Sequence, residues 1–239
     1  MIESDSEAPM HPSPRTIGIV WIVYLAVGIL SGVFVKGIIV AGAAAVTAQN
    51  ILGHAAAFQA SASLDLVANA IYIVLTALLY GLFRRVNRSI ALSAAFLSLA
   101  GCIVQIIADL LRLGAPVILG DAQLASAFTA AQLQSATMLG LSLYNKAFLI
   151  SFPLFAMFEM ITGYLILKST FLPRWLGVWW LVGATAWLIF LWPPLAAAVP
   201  RYIIILGATN ELGFAIWLIV KGGQRSRWQR EVATADAVI

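Results

Sequence analysis

The sequence predicts an all-α fold, a polytopic membrane helix bundle with six transmembrane helices and both termini on the cytoplasmic side. Three observations lead there. Of the 239 residues 62% are hydrophobic and only 10% charged, with a mean hydropathy of +0.96. Soluble domains carry about a quarter charged residues, so a water-soluble fold has no way to hide this much apolar surface. The apolar residues also fall into six runs of 18 to 25 residues, and about 20 residues of helix cross a bilayer. Finally, the lysines and arginines gather between alternate runs, as the positive-inside bias requires.

Residues 1–16 contain three prolines and read as a disordered cytoplasmic lead. The first span is 17–40, with Lys36 its only charge. It is too long for a signal peptide, whose apolar region covers about 7–15 residues. Residues 41–63, with Gln49, Asn50, His54 and Gln59, are too polar to span and are expected to form a short helix and turn outside the core. The second span, 64–83, runs into the basic loop of Arg84, Arg85 and Arg88. The third, 89–113, is closed by Gly114 and Pro116 as a helix stop. Residues 120–146 have a weakly apolar helical period, suited to an interfacial helix or a long lead into the next span. The fourth span, 147–167, contains Pro153, which removes a backbone bond and predicts a kink near Leu149. The fifth, 175–192, ends at Pro193 and Pro194, and the sixth is 202–220. The membrane domain is thus 17–220, followed by a basic cytoplasmic tail, 221–239.

With six spans the inner set of cations is Arg15, Arg84, Arg85, Arg88, Lys168, Arg174, Lys221, Arg225, Arg227 and Arg230, against Lys36, Arg112, Lys146 and Arg201 outside. Ten against four fits the bias. Trp21, Trp175, Trp179, Trp180 and Trp217 are expected toward the inner interface, and Tyr144, Trp192 and Tyr202 toward the outer. The small-residue pairs Gly28 with Gly32 and Gly37 with Ala41 are candidates for close helix approach. A net charge of +4 dispersed between apolar runs speaks for bilayer orientation and against nucleic acid. The lone Cys102 excludes an intrachain disulfide and reads as a small buried hydrophobe.

The segments TAQNILGHAAAF, LLYGLFRRVNRSIALSAAFLSL, GYLILKSTFLPRWLGV and ELGFAIWLIVKG, in that order, resemble the bacterial membrane family catalogued as domain of unknown function 4386. The resemblance runs from about Arg15 to Gly222. It implies a six-helix protein of a bacterial inner membrane, and it carries no catalytic or binding residues.

Polar residues at membrane depth carry the remaining information, because an ionisable group inside a span costs about 2.5–3.5 kcal/mol on insertion scales. Asp65, Asn69, Tyr72, Thr76 and Tyr80 share one face of the second span. Ser98, Cys102, Gln105, Asp109 and Arg112 share one face of the third. Asp109 and Arg112, three residues apart, can pair on one turn, and Arg112 can reach Asp65 across helices. Asp65, Asn69, Gln105, Asp109 and Arg112 are therefore candidates to line an outward vestibule for a polar ligand or lipid headgroup. A structural salt bridge is the plainer account. Glu159 and Glu211, the latter beside Asn210, stand near the middle of the fourth and sixth spans with no Lys or Arg beside them. A carboxyl without a cation in low dielectric favours its protonated form and serves as a proton carrier or a hydrogen-bond donor. The plain account has each acid bonded to a backbone carbonyl, for which Pro153 frees a candidate.

His11 and His54 are isolated, so no metal site is expected. Phosphate-binding, dinucleotide and Gly-x-Ser-x-Gly motifs are absent, and no cofactor is expected. Ser151 reads as a helix hydrogen bonder. Three functions stay open: a binding or transport module for a small polar or amphiphilic solute or a lipid, with protons handled by the acids; a non-catalytic partner or sensor subunit working through its basic loops; and an intramembrane enzyme using carboxylates alone. Partners beyond the lipid bilayer, homo-oligomers included, are not specified.

Overall fold

The computed structural model describes residues 13–198 and 202–222. Nine α-helices and one 3-10 turn occur among them, with no strand. They are α1 (Pro14–Val35), α2 (Ala44–Gly53), α3 (Ala55–Phe83), α4 (Arg88–Gly120), α5 (Ala122–Ala127), α6 (Ala130–Lys168), α7 (Arg174–Leu188), α8 (Pro193–Ala198) and α9 (Tyr202–Gly222). Five stretches are long and apolar enough to cross a membrane: α1, α3, α4, α6, and α7 continued through its 3-10 turn to Leu191.

Local chemistry sets the ends. Ser13 caps α1 by accepting from the Thr16 amide at 3.1 Å, with Pro14 in the first helical position, where its missing N–H costs nothing. Asn87 opens α4 by accepting from the Ile90 amide at 3.0 Å, and Thr129 and Gln132 form a reciprocal capping box on α6. Gly37 and Gly42 take positive φ in the turn after α1. Asn50 pins α2 onto that turn by donating to the carbonyls of Gly37 and Ile38.

Several boundaries depart from the sequence expectation. Residues 14–16 belong to α1 rather than to a disordered lead; residues 1–12 and the tail from 223 onward lie outside the described residues. The second span begins at Ala55, because the Ala-rich stretch after His54 is a good helix former that buries Phe58, Ser61 and Ala62. Gly114 and Pro116 do not stop the third span. α4 continues to Gly120, since a membrane helix packed among neighbours tolerates an interior proline. Residues 130–146 are the leading half of the 39-residue α6, which also continues through Pro153. Pro193 opens the short α8.

The six long helices close a ring in the order α1, α3, α4, α6, α7, α9 and back to α1. Each sends a side chain to the centre: Trp21, Tyr72, Cys102, Phe158, Trp180 and Phe214 all belong to one buried cluster. Edge-on aromatic contacts knit it together, with Trp21 5.3 Å from Trp180 and 5.5 Å from Phe214 between ring centroids. Trp21 and Trp180 are thus core residues and not interfacial anchors, whereas Trp175 is 54% exposed. Outward the bundle shows Ile29, Val33, Phe96, Leu110 and Ile150, each more than half exposed, a surface suited to lipid.

Helix approach depends on other glycines than the pairs expected. A Cβ on Gly28 or Gly32 would meet nothing, and Gly37 sits in a turn. Gly163 and Gly177 face each other instead: a Cβ on Gly177 would lie 2.9 Å from the Gly163 carbonyl oxygen. Backbone cannot yield as a side chain does, so Gly177→Val is expected to push α7 off α6 and cost about 1–3 kcal/mol. A lowered melting midpoint in detergent would show it, and an unchanged one would count against this contact.

Candidate functional site

Glu159 of α6 and Glu211 of α9 are buried side chains, at 0% and 8% exposure. Glu159 lies nine residues from Lys168 and Glu211 ten from Lys221. At 1.5 Å per residue that places both about 14–15 Å from the same end of the bundle. The two carboxyls are close enough to interact directly. Glu211 Oε2 accepts from the Trp21 indole at 3.1 Å, while both oxygens of Glu159 lack any hydrogen-bond partner. Two ionised carboxylates are acceptors only and repel each other; one proton between them supplies the missing donor and removes the repulsion.

The surroundings of this pair are polar and incompletely satisfied. The Trp187 indole lies beside Glu159, and its Nε1 has no partner. Trp180 Nε1 and Asn210 Oδ1 are also buried without partners, although Asn210 Nδ2 donates to the Trp180 carbonyl at 3.4 Å. Asn210 packs on Gly183, where a Cβ would overlap its amide, and Trp187 packs on Gly207. Buried polar atoms are nearly always bonded, so such a cluster marks a place that accepts a proton, water or ligand polar group. The tryptophans were missed from sequence. Their signal was the spacing of Trp180, Gly183 and Trp187 by three and four residues, which puts them on one helical face.

A second polar set forms where the inward faces of α3 and α4 meet. Thr76 and Ser98 share a 2.6 Å hydrogen bond along this seam. Farther along, Arg112 Nη2 lies 2.5 Å from Asp65 Oδ2 and 3.0 Å from Asp109 Oδ1. Arg112 Nη1 donates to Ser61 Oγ at 3.3 Å, and the guanidinium stands 5.0 Å from the Tyr144 ring centre. Ser31 of α1 in turn bonds to Ser61. Arg112 therefore joins four helices while almost wholly buried, at 1% exposure. The set is closed here as a packed ion cluster, with Asp65 the most accessible member at 22% side-chain exposure. Asn69 donates to the Asp65 carbonyl at 3.0 Å, and Gln105 donates to Ser151 at 3.1 Å. Ser151 itself donates to the Phe148 carbonyl at 2.7 Å, the hydrogen-bonding role expected of it.

Between the two sets stand Tyr24 and Tyr72, with ring centroids 4.8 Å apart. Both lie within electrostatic reach of Glu159 and Glu211, and Tyr24 also of Asp65. Among the described residues no three His, Cys, Asp or Glu side chains gather as a metal site would need.

The family model described as Domain of unknown function (DUF4386) matches residues 16–222. The chain belongs to this family. No curated protein and no solved structure matches it. In this DUF4386 protein the matched range takes in all six long helices nearly whole, so the acid pair and the ion cluster both lie inside the family domain.

Proposed function

We propose that this DUF4386 protein is a six-span protein of a bacterial cytoplasmic membrane, with both termini inside, that binds or transports a small polar or amphiphilic solute or a lipid and handles protons at Glu159 and Glu211. The observation that carries the reading is the juxtaposition of the two carboxyls from different helices at mid-depth, with the oxygens of Glu159 unpaired. An ionisable residue at that depth marks proton or solute paths more often than it serves packing. On this reading the outer side reaches the pair along the seam of α3 and α4 only when the packed ion cluster of Arg112 opens. α9, with 21 residues, is long enough to be the sixth span.

Orientation rests on charge. Arg15, Arg84, Arg85, Arg88, Lys168, Arg174 and Lys221 stand at one end of the ring. This is the end assigned to the cytoplasm.

A pH jump tests the proton role without knowledge of the solute. Protein reconstituted on a solid-supported membrane is expected to give a transient displacement current as protons enter or leave the acids. With Gln at both 159 and 211 the current should fall to the level of empty liposomes. A current unchanged in that double variant would remove proton handling from the proposal.

A further inference from the structure

At the basic end, the turn between α6 and α7 forms a shallow, open depression lined by Tyr164, Lys168, Ser169, Thr170 and Arg174, among others. Two cations six residues apart stand on either side of it, both exposed. The Lys168 ammonium lies 5.7 Å from the Tyr164 ring centre, which positions it over an aromatic face. No side chain caps the first turn of α7, and only the Leu176 amide there donates back, to the Pro173 carbonyl at 3.0 Å. Just below, toward the membrane middle, α6 and α7 expose Met157, Met160, Tyr164, Val178 and Val182.

A pair of cations beside the exposed Thr170 suits a phosphodiester, and an apolar strip beneath it suits acyl chains. A membrane-interface position makes a bilayer lipid the source. We propose that this cleft is a binding site for the headgroup of an anionic phospholipid, with Lys168 and Arg174 on the phosphate. Lys168 acts as a point charge and Arg174 as a planar fork able to take two phosphate oxygens. Thr170 is placed to donate to a phosphate or glycerol oxygen, and the acyl chains run along the α6 and α7 strip. The site is separate from the acid pair and holds whether or not Glu159 and Glu211 carry protons.

The test uses the full chain purified in detergent and titrated with phosphatidylglycerol or phosphatidylcholine, with bound lipid counted by native mass spectrometry. Phosphatidylglycerol is expected to bind more tightly than phosphatidylcholine. The variant K168Q/R174Q should weaken it about tenfold or more, since each cation near a membrane surface favours an anionic lipid several-fold. R84Q/R88Q, at the same end but outside the cleft, should weaken it about twofold at most. Equal losses in the two variants would mean a diffuse basic face and overturn the site, as would no loss in K168Q/R174Q. Inorganic phosphate at millimolar concentration, added alone, should not displace the lipid. Full displacement would mean that the cleft binds free phosphate, and would overturn the lipid assignment. Melting curves for both variants establish that the bundle is intact.

Discussion

Arg112→Met is expected to destabilise the bundle by about 3 kcal/mol or more, because removing one partner of a buried ion pair strands the others. Here two carboxylates depend on one guanidinium, at 2.5 Å from Asp65 and 3.0 Å from Asp109. Asp109 suffers more, with 3% side-chain exposure against 22% for Asp65. The loss also spreads, since Ser31, through Ser61, and Tyr144 tie two further helices to the same group. A fall in detergent melting temperature measures it. Restoring neutrality provides the control: Met at 112 with Asn at both 65 and 109 should recover most of the lost stability, because a neutral set no longer leaves charge in a dry core. If that triple variant is as unstable as Arg112→Met alone, shape at position 112 and not charge is what the cluster supplies.

The second large effect is loss of the pH-jump current, and single variants separate a pair from two independent acids. If Glu159 and Glu211 share a proton, Glu159→Gln leaves Glu211 without its coupled neighbour but still held by Trp21 at 3.1 Å. Its titration then shifts along the pH axis and the current persists in altered form. Glu211→Gln leaves Glu159 with the unpaired indole of Trp187 beside it. The two single variants should differ in their pH dependence, each from the other and from wild type, and only the double variant should be silent. Independent acids would instead give two currents that add to the wild-type trace at every pH. Gln preserves shape and hydrogen-bonding capacity, so the double variant is expected to remain folded.

Much of this was readable from residue order, for identifiable reasons. The cost of charge in lipid makes Glu159, Glu211, Asp109 and Arg112 conspicuous, and helical periodicity puts the α3 and α4 stripes on single faces that do meet. Helix ends were less readable. Gly114 and Pro116 look like a stop to a local rule, whereas packing carries α4 to Gly120. His54 looked like part of a long polar loop, yet the alanines after it belong to α3. Tryptophan's average preference for membrane interfaces hides Trp21 and Trp180, which meet in the core because α1 and α7 belong to the same ring. Which glycines bring helices together depends on the ring order, so Gly163 and Gly177 could not be told from Gly28 and Gly32 by spacing.

The central claim is that Glu159 and Glu211 hold a proton between them in the middle of the membrane. Difference infrared spectroscopy of the protein in lipid at neutral pH, taken against the E159Q/E211Q variant, reads it most directly. The wild type is expected to show a protonated-carboxyl C=O band that moves in D₂O and is missing from the variant. A wild type without that band, or a variant that keeps it at full intensity, would contradict it.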